Sequence, residues 1–126
     1  MSSGEDALRV QIGERTIVGD DSGGDGPAIV LLHGLTATRR YVVHGSRTLE
    51  RAGYRVLSYD SRGHGASDPA IDPSAYAYAE LADDLHAVMD ALELESAILV
   101  GHSMGGHLAA RMAITASEAV LAAFSF

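Results

Sequence analysis

The chain contains no cysteine and no lysine. Without cysteine it can form neither a disulfide nor a thiolate-ligated metal site. Without lysine its positive charge comes from arginine alone, and 9 basic residues stand against 17 acidic ones, which gives a formal net charge of −8 at pH 7. Binding to nucleic acid or to an anionic membrane requires a clustered basic face, so this balance argues against both kinds of partner.

Long apolar runs are also missing. No stretch approaches the roughly 18 uninterrupted apolar residues of a transmembrane helix. The first residues, MSSGED, have neither the basic nor the apolar segment of a secretory signal, so we expect a cytoplasmic location. A length of 126 residues and a hydrophobic fraction of 47% suit one domain with a buried core.

Three continuous apolar runs of strand length predict the centre of a parallel sheet. They cover residues 28–32, 54–59 and 97–100, and their continuity indicates burial on both faces. Before them, the residues at every second position on either side of a Gly-Glu turn at positions 13–14 can share one face of a strand, which predicts an antiparallel hairpin at a sheet edge with the other face in water. These residues are Leu8, Val10, Ile12, Thr16 and Val18.

Helical patterns lie between the apolar runs. A short one covers residues 45–52 and ends at Gly53, a residue type that favours the C-terminal cap of a helix. A longer one covers residues 78–92, where apolar residues recur at helical spacing, while Asp83, Asp84, His86 and Asp90 fall on other faces. A third begins at Met104 and is rich in small and apolar residues.

Strand and helix therefore alternate along the chain, up to a further strand-like run at residues 120–126. This order predicts an α/β fold, a three-layer sandwich with a mostly parallel central sheet and an N-terminal antiparallel hairpin. We expect the sheet to be incomplete at its C-terminal end, with an exposed strand edge and one thinly covered face. Such a surface favours self-association of the isolated chain.

The pentapeptide Gly101-His102-Ser103-Met104-Gly105 has the pattern Gly-x-Ser-x-Gly. A pattern this short also occurs by chance, but a strand before it and a helix after it are the context of a nucleophile elbow. In such an elbow a sharp, strained turn presents the serine above a parallel sheet, and side chains two residues away would obstruct the turn. Glycine at positions 101 and 105 relieves that crowding. The sequence therefore predicts Ser103 as a nucleophile with a positive φ.

His33 and Gly34 follow the first central strand, at the sheet edge where backbone N–H groups can point toward a ligand. An acyl-transfer enzyme needs such donors to stabilise the negative oxygen of a tetrahedral intermediate. We expect the N–H groups of Leu35 and Met104 to be this pair. His33 itself is interpreted as a structural histidine, hydrogen-bonded within its loop.

Residues 60–67, with the sequence DSRGHGAS, follow the second central strand and predict a tight loop at the same edge. We interpret this loop as architectural, with Asp60 and Arg62 in a local arrangement of charges and hydrogen bonds. An alternative makes Asp60 the acid partner of a catalytic histidine. His64 is interpreted as a loop residue rather than a base.

These three motifs, in this order and each after a strand, resemble the α/β-hydrolase fold family over nearly the whole chain. The resemblance implies that Ser103 is the nucleophile, that Leu35 and Met104 supply the oxyanion hole, and that His102 and His107 are not catalytic. A serine at this position argues against the haloalkane dehalogenase and epoxide hydrolase branches, which use a carboxylate nucleophile. An ester-type serine hydrolase is the leading hypothesis, while carbon–carbon bond hydrolysis, lactone opening and cofactor-free perhydrolysis remain open.

The catalytic triad of this family continues after the nucleophile with an acid and then a histidine. After Ser103 this chain offers only Glu118 and His107, and neither fits. The resemblance therefore implies that residues 1–126 are the N-terminal part of one hydrolase domain, without the cap and the C-terminal strands and helices, and that the isolated chain is inactive. The alternative is a non-catalytic ligand-binding or vestigial protein.

The expected partner is a small-molecule substrate. The 6 histidines are scattered without the spacing of metal ligands. We therefore expect neither a metal nor another cofactor.

Overall fold

The computed structural model describes residues 8–34, 38–39, 46–69 and 77–126. These residues form one six-stranded sheet. Its strands are β1 (Leu8–Ile12), β2 (Arg15–Asp21), β3 (Ala28–Leu32), β4 (Arg55–Tyr59), β5 (Ala97–Gly101) and β6 (Val120–Ser125). Their order across the sheet is β1-β2-β4-β3-β5-β6.

The sheet is mostly parallel, as predicted. β3 pairs in parallel with both β4 and β5, and β6 pairs in parallel with β5. β1 and β2 run antiparallel at the other edge, where β2 joins β4. All residues of β3 are buried, because this central strand is covered on both faces.

Three helices of the described residues cover the sheet: α1 (Ser46–Arg51), α2 (Tyr78–Ala91) and α3 (Met104–Thr115). α2 and α3 pack on one face, where they form the main hydrophobic core with the sheet. On the other face, Leu49 of α1 packs on a smaller cluster. The predicted three-layer sandwich is confirmed. In the part of the chain that the structure describes, no helix has the length and apolar character to cross a membrane.

The N-terminal hairpin turns at Gly13, which has a φ of 61°. β1 alternates buried and exposed residues, as expected of an edge strand with one face in water. β2 differs, because the adjacent residues Ile17 and Val18 are both buried. The loop after β4 packs along β2: the Val18 N–H donates to Ser67 Oγ at 2.9 Å, and the Asp60 N–H donates to the Val18 carbonyl at 2.9 Å. The prediction of one wet face is therefore right for β1 and wrong for β2.

β6 and the sheet face beside it expose large apolar side chains. Phe124 lies beside Val100 in the register of β5 and β6 and is 58% exposed, and Leu121 is 62% exposed. Ile98 and Val100, on the face that α1 covers, are only half-buried. Within the described part of the chain, the outer edge of β6 pairs with no other strand.

We expect residues 1–126, expressed alone, to self-associate and to bind a hydrophobic dye, because an open strand edge beside apolar surface favours association. Size-exclusion chromatography with dye fluorescence measures both effects. The double variant Leu121→Ser, Phe124→Ser should shift the chain toward the monomer. A sharp monomer peak without dye binding for the unsubstituted chain would contradict the expectation.

Candidate active site

The loops that carry the three sequence motifs meet at one edge of the sheet. β3, β4 and β5 are parallel, and the register places Leu32, at the end of β3, beside Gly101, at the end of β5. Because the carboxyl ends of parallel strands share an edge, the residues that follow them lie on the same side of the sheet. His33, Asp60 and Ser103 are therefore brought to one region.

Ser103 lies in a strained turn between β5 and α3. Its φ is 53° and its ψ is −112°, a combination that residues with a side chain rarely adopt. Backbone strain of this kind costs about 1–3 kcal/mol and persists only where the surrounding structure enforces it. The positive φ predicted for Ser103 is confirmed. The Ser103 side chain is exposed at the sheet edge.

Two glycines make this turn possible. A Cβ on Gly101 would overlap the carbonyl group of Gly105, and a Cβ on Gly105 would overlap the carbonyl group of Leu32. Neither contact involves a flexible side-chain end that could move away. Glycine at these positions therefore lets α3 start directly against the sheet, as the crowding argument predicts.

Hydrogen bonds to both neighbouring strands hold the backbone of the turn. The His102 N–H donates to the Leu32 carbonyl at 3.0 Å, and the Ser103 N–H donates to the Phe126 carbonyl at 2.9 Å. The Phe126 N–H in turn donates to the Gly101 carbonyl at 3.0 Å. The elbow is thus fixed between β3 and the residue that follows β6.

The loop after β3 passes close to the elbow. A Cβ on Gly34 would lie 3.5 Å from the Ser103 Cβ and 3.1 Å from Nδ1 of His102. Met104 is the first residue of α3, and none of the hydrogen bonds among the described residues uses its N–H, as is usual in the first turn of a helix. Leu35 lies outside the described residues. The oxyanion-hole role of Leu35 and Met104 stays a prediction.

His33 lies between two of the loops and is 1% exposed. Its Nδ1 is 2.7 Å from the Gly34 carbonyl oxygen, and its Nε2 accepts the Ser61 N–H at 2.9 Å. One ring nitrogen donates and the other accepts, so the ring is neutral with its proton on Nδ1. Burial lowers the pKa of His33, and the ring of His64 lowers it further, while the Gly34 carbonyl and Asp60 act in the opposite direction.

Asp60 is buried and binds donors from two segments. Its carboxylate accepts hydrogen bonds from Nη1 of Arg39 at 2.6 Å, from the backbone N–H of Arg39 at 2.9 Å and from the N–H of Ala66 at 3.0 Å. A Cβ on Gly65, which has a φ of 51°, would overlap this carboxylate. A carboxylate engaged in this way holds the loop, which supports the architectural interpretation. The expected local arrangement of Asp60 with Arg62 is wrong, because Asp60 pairs with Arg39.

Arg62 instead pairs with Asp84 of α2, and both side chains are buried. Nε and Nη2 of Arg62 contact the two carboxylate oxygens of Asp84 at 2.7 and 2.6 Å, in the forked geometry that suits a guanidinium and a carboxylate. The prediction that Asp84 lies on a face other than the buried apolar one is therefore wrong. Sequence reasoning missed this pair and Arg39, because no spacing in the sequence connects a loop arginine to a distant carboxylate.

The remaining candidates for a triad lie away from the Ser103 hydroxyl. Among the described residues, no side chain hydrogen-bonds this hydroxyl. His107 stacks on Tyr78 with ring centroids 5.7 Å apart, and His102 packs against Phe126 at 5.2 Å. Glu118 belongs to a 3₁₀ turn before β6, at the amino ends of the parallel strands, whereas Ser103 lies at their carboxyl ends. Within the described ranges, no group of three histidine or acidic side chains could hold a metal ion.

Residues 27–125 match a family model described as the alpha/beta hydrolase fold. Among curated proteins, the chain is 44% identical over 82 residues to a putative non-heme chloroperoxidase of Synechocystis, a match that covers 65% of this chain and 29% of that protein. It is 38% identical over 95 residues to an sn-1-specific diacylglycerol lipase of mouse, with coverages of 75% and 30%. The chain thus spans about a third of the length of such relatives.

The fold is also similar to solved structures. The structure of epoxide hydrolase A from Mycobacterium thermoresistibile superimposes with a TM-score of 0.86 at 28% sequence identity. This superposition covers 94% of the present chain and 37% of that structure. The residues of the family match include the elbow and the loops after β3 and β4.

Proposed function

This chain belongs to the α/β hydrolase fold family, and from that membership we propose that it carries the nucleophile of a serine hydrolase acting on esters or related carbonyl compounds. The observation that carries the proposal is Ser103 itself, exposed at the carboxyl edge of the sheet with a φ of 53°. Strain at an exposed polar residue is typical of functional sites, where the surrounding structure enforces it.

In the proposed reaction, Ser103 Oγ attacks the carbonyl carbon of a small-molecule substrate and loses its proton to a histidine base. The resulting tetrahedral intermediate collapses to an acyl-enzyme, and the leaving group departs with a proton. Water then attacks the acyl carbon, which releases the acid and returns the proton to Ser103. Each half of the reaction develops a negative charge on the carbonyl oxygen.

Backbone N–H groups of Met104 and Leu35 are proposed to stabilise that charge. The Met104 N–H stands at the positive end of α3, next to Ser103, and the loop after β3 passes within contact distance of the elbow. One fixed donor of this kind contributes about 2.7–4 kcal/mol of transition-state stabilisation.

The base and its acid partner are proposed to come from outside the described residues, since no described histidine contacts the Ser103 hydroxyl. An unassisted serine is a weak nucleophile at neutral pH. After Ser103, residues 1–126 offer only His107 and then Glu118, which is not the acid-then-histidine order of the family, so we propose that these residues alone are nearly inert. The whole protein's activity depends on groups that this chain does not supply among its described residues.

The relatives include both lipases and epoxide hydrolases, and the nucleophile separates these chemistries. Our sequence interpretation is that epoxide hydrolases of this family use a carboxylate at the elbow, whereas this chain has Ser103. The curated relative described as a diacylglycerol lipase supports ester-type chemistry. The relative described as a putative non-heme chloroperoxidase keeps perhydrolysis open for the same serine.

A fluorophosphonate probe tests the proposal, because it phosphonylates only an activated serine. The native gene product that contains this sequence should be labelled stoichiometrically, with the adduct mapped to Ser103 by mass spectrometry. Residues 1–126 expressed alone and a Ser103→Ala variant should remain unlabelled. Failure of the native gene product to react would favour the non-catalytic alternative, and an adduct on another serine would contradict the assignment of Ser103.

A further inference from the structure

Met104 connects the elbow to the hydrophobic core. Its backbone follows Ser103 directly and begins α3, while its side chain belongs to the main core that α2 and α3 form with the sheet. The next two residues are held closely. A Cβ on Gly105 would overlap the backbone of β3, and a Cβ on Gly106 would lie 2.8 Å from the Ser125 Cβ. The first turn of α3 therefore packs tightly against β3 and β6, and the Met104 side chain is part of that packing.

Met104 is also the most exposed of the described methionines. It is 9% exposed, whereas Met89 is 3% exposed and Met112 is 0% exposed. Its neighbour Ser103 is exposed at the carboxyl edge of the sheet. In the proposed reaction an ester reaches the Ser103 hydroxyl, so a molecule as small as hydrogen peroxide reaches the same edge. Because exposure governs oxidation of methionine, Met104 is the described methionine most open to a peroxide from solvent.

Oxidation changes the chemical character of this side chain. A lone pair of the thioether sulfur attacks one oxygen of hydrogen peroxide, so that an S–O bond forms and the O–O bond breaks. After proton transfer the other oxygen leaves as water. Sulfur is oxidised, peroxide is reduced, and the products are methionine sulfoxide and one water molecule. A flexible apolar side chain thus becomes a polar one, which is costly to bury in an apolar core without a hydrogen-bond donor.

We propose that Met104 is a site of oxidative inactivation, at which hydrogen peroxide forms a sulfoxide and thereby displaces the start of α3 from the geometry that Ser103 requires. The inference rests on the proposed function of Ser103. The turn at Ser103 is strained, and its φ of 53° persists only because the surrounding structure enforces it. Loss of a buried methionine side chain from a core costs at least as much as such strain. The sulfoxide therefore removes packing that holds the elbow in place.

The expected effect is on the chemical step. The Met104 N–H is one of the proposed oxyanion donors, and it moves when the side chain of the same residue leaves the core. A displacement of about 1 Å in a catalytic group lowers the rate about 10²-fold. We therefore expect complete oxidation of Met104 to lower kcat about 10- to 100-fold with KM changed by less than about threefold, because a displaced donor acts on the transition state.

The first test follows oxidation and activity together. The native gene product is treated with hydrogen peroxide, and the reaction is stopped at intervals with catalase. Mass spectrometry of proteolytic peptides gives the fraction of each methionine present as sulfoxide, and hydrolysis of a p-nitrophenyl ester gives kcat. We expect the loss of kcat to follow the fraction of Met104 sulfoxide. Unchanged kcat with Met104 fully oxidised, or loss of kcat while Met104 remains a thioether, would overturn the proposal.

The second test uses leucine, which is similar to methionine in size and has no sulfur to oxidise. Met104→Leu should keep, after peroxide treatment, the kcat that it has before treatment. The matched control is Met89→Leu. Met89 lies near the other end of α2, where it lines a surface cavity with His86 and Leu94. This control should lose kcat at the same rate as the unsubstituted protein, and equal rates of inactivation for the two leucine variants would overturn the inference.

Unfolding gives a measurement that needs no activity. Peroxide treatment should lower the urea midpoint of the unsubstituted protein and shift that of Met104→Leu much less, because the leucine stays in the core. An equal shift in both proteins would place the sensitive residue elsewhere. If the untreated protein shows neither ester hydrolysis nor probe labelling, the proposed function fails. The peptide map and the unfolding midpoint then still decide whether oxidation occurs at Met104 and loosens the start of α3.

Discussion

Alanine at position 103 is expected to lower kcat for ester hydrolysis by the native gene product about 10⁵- to 10⁶-fold, with KM changed by less than about tenfold. The reason is that, in the proposed reaction, Ser103 Oγ forms the covalent bond of the acyl-enzyme, and no other described side chain is placed to replace it. The proposed oxyanion donors remain in this variant and would account for the residual rate. Initial rates with a p-nitrophenyl ester, compared with the uncatalysed reaction, measure the effect.

The control for this variant is Ser117→Ala. Ser117 is an exposed serine in the 3₁₀ turn before β6, at the amino ends of the parallel strands and away from Ser103. The control should leave kcat within about twofold, because surface substitutions away from a site have small effects. A Ser103→Ala protein that keeps more than about a tenth of the rate would show that the chemistry occurs elsewhere or without a serine nucleophile.

Asp84→Ala is expected to lower the free energy of unfolding by about 3–5 kcal/mol, because it removes the carboxylate that binds two nitrogens of the buried Arg62 guanidinium. The side chains of Arg62 and Asp84 are 2% and 3% exposed, so solvent cannot replace the lost charge without opening the core. Urea denaturation of the native gene product, followed by circular dichroism, measures the midpoint of unfolding. If the dependence of the free energy on urea concentration is unchanged, the shift of the midpoint gives the change in the free energy of unfolding.

The neighbouring residue provides the matched control. Asp83 is exposed on α2, and Asp83→Ala should change stability by no more than about 0.5 kcal/mol. Replacing the whole pair, as Arg62→Met with Asp84→Leu, should recover most of the loss, since apolar side chains of similar size remove both charges from the interior. If Asp84→Ala and Asp83→Ala cost the same, the pair does not stabilise the fold as described.

Much of the fold could be predicted because it follows from periodicity. The apolar runs that became β3, β4 and β5 are continuous because both faces of a central strand are covered, and α2 shows its 3.6-residue spacing plainly. β2 was less predictable. The pattern of an edge hairpin does not reveal that the distant loop after β4 packs along it and buries Val18.

The candidate site could be predicted in part. The elbow has a local signature, since the strained turn demands glycines at fixed offsets around Ser103. Two buried ion pairs join segments that are far apart in the chain: Arg62 with Asp84, and Arg39 with Asp60. From sequence alone, a charged residue within a helix is expected to be exposed to solvent, because its distant partner is not known. The hydrogen bond from Ser61 to His33 is of the same kind.

The backbone hydrogen bonds from the elbow to Leu32 and Phe126 make the conformation of Ser103 depend on three strands rather than on the turn alone. Strain of the kind shown by its φ of 53° persists only where the surrounding structure enforces it. Here the enforcing groups are carbonyls of β3 and of the residue that follows β6, which lie on the two sides of β5. A change that breaks either hydrogen bond is therefore expected to let Ser103 relax toward ordinary dihedral angles, even when the pentapeptide itself is intact.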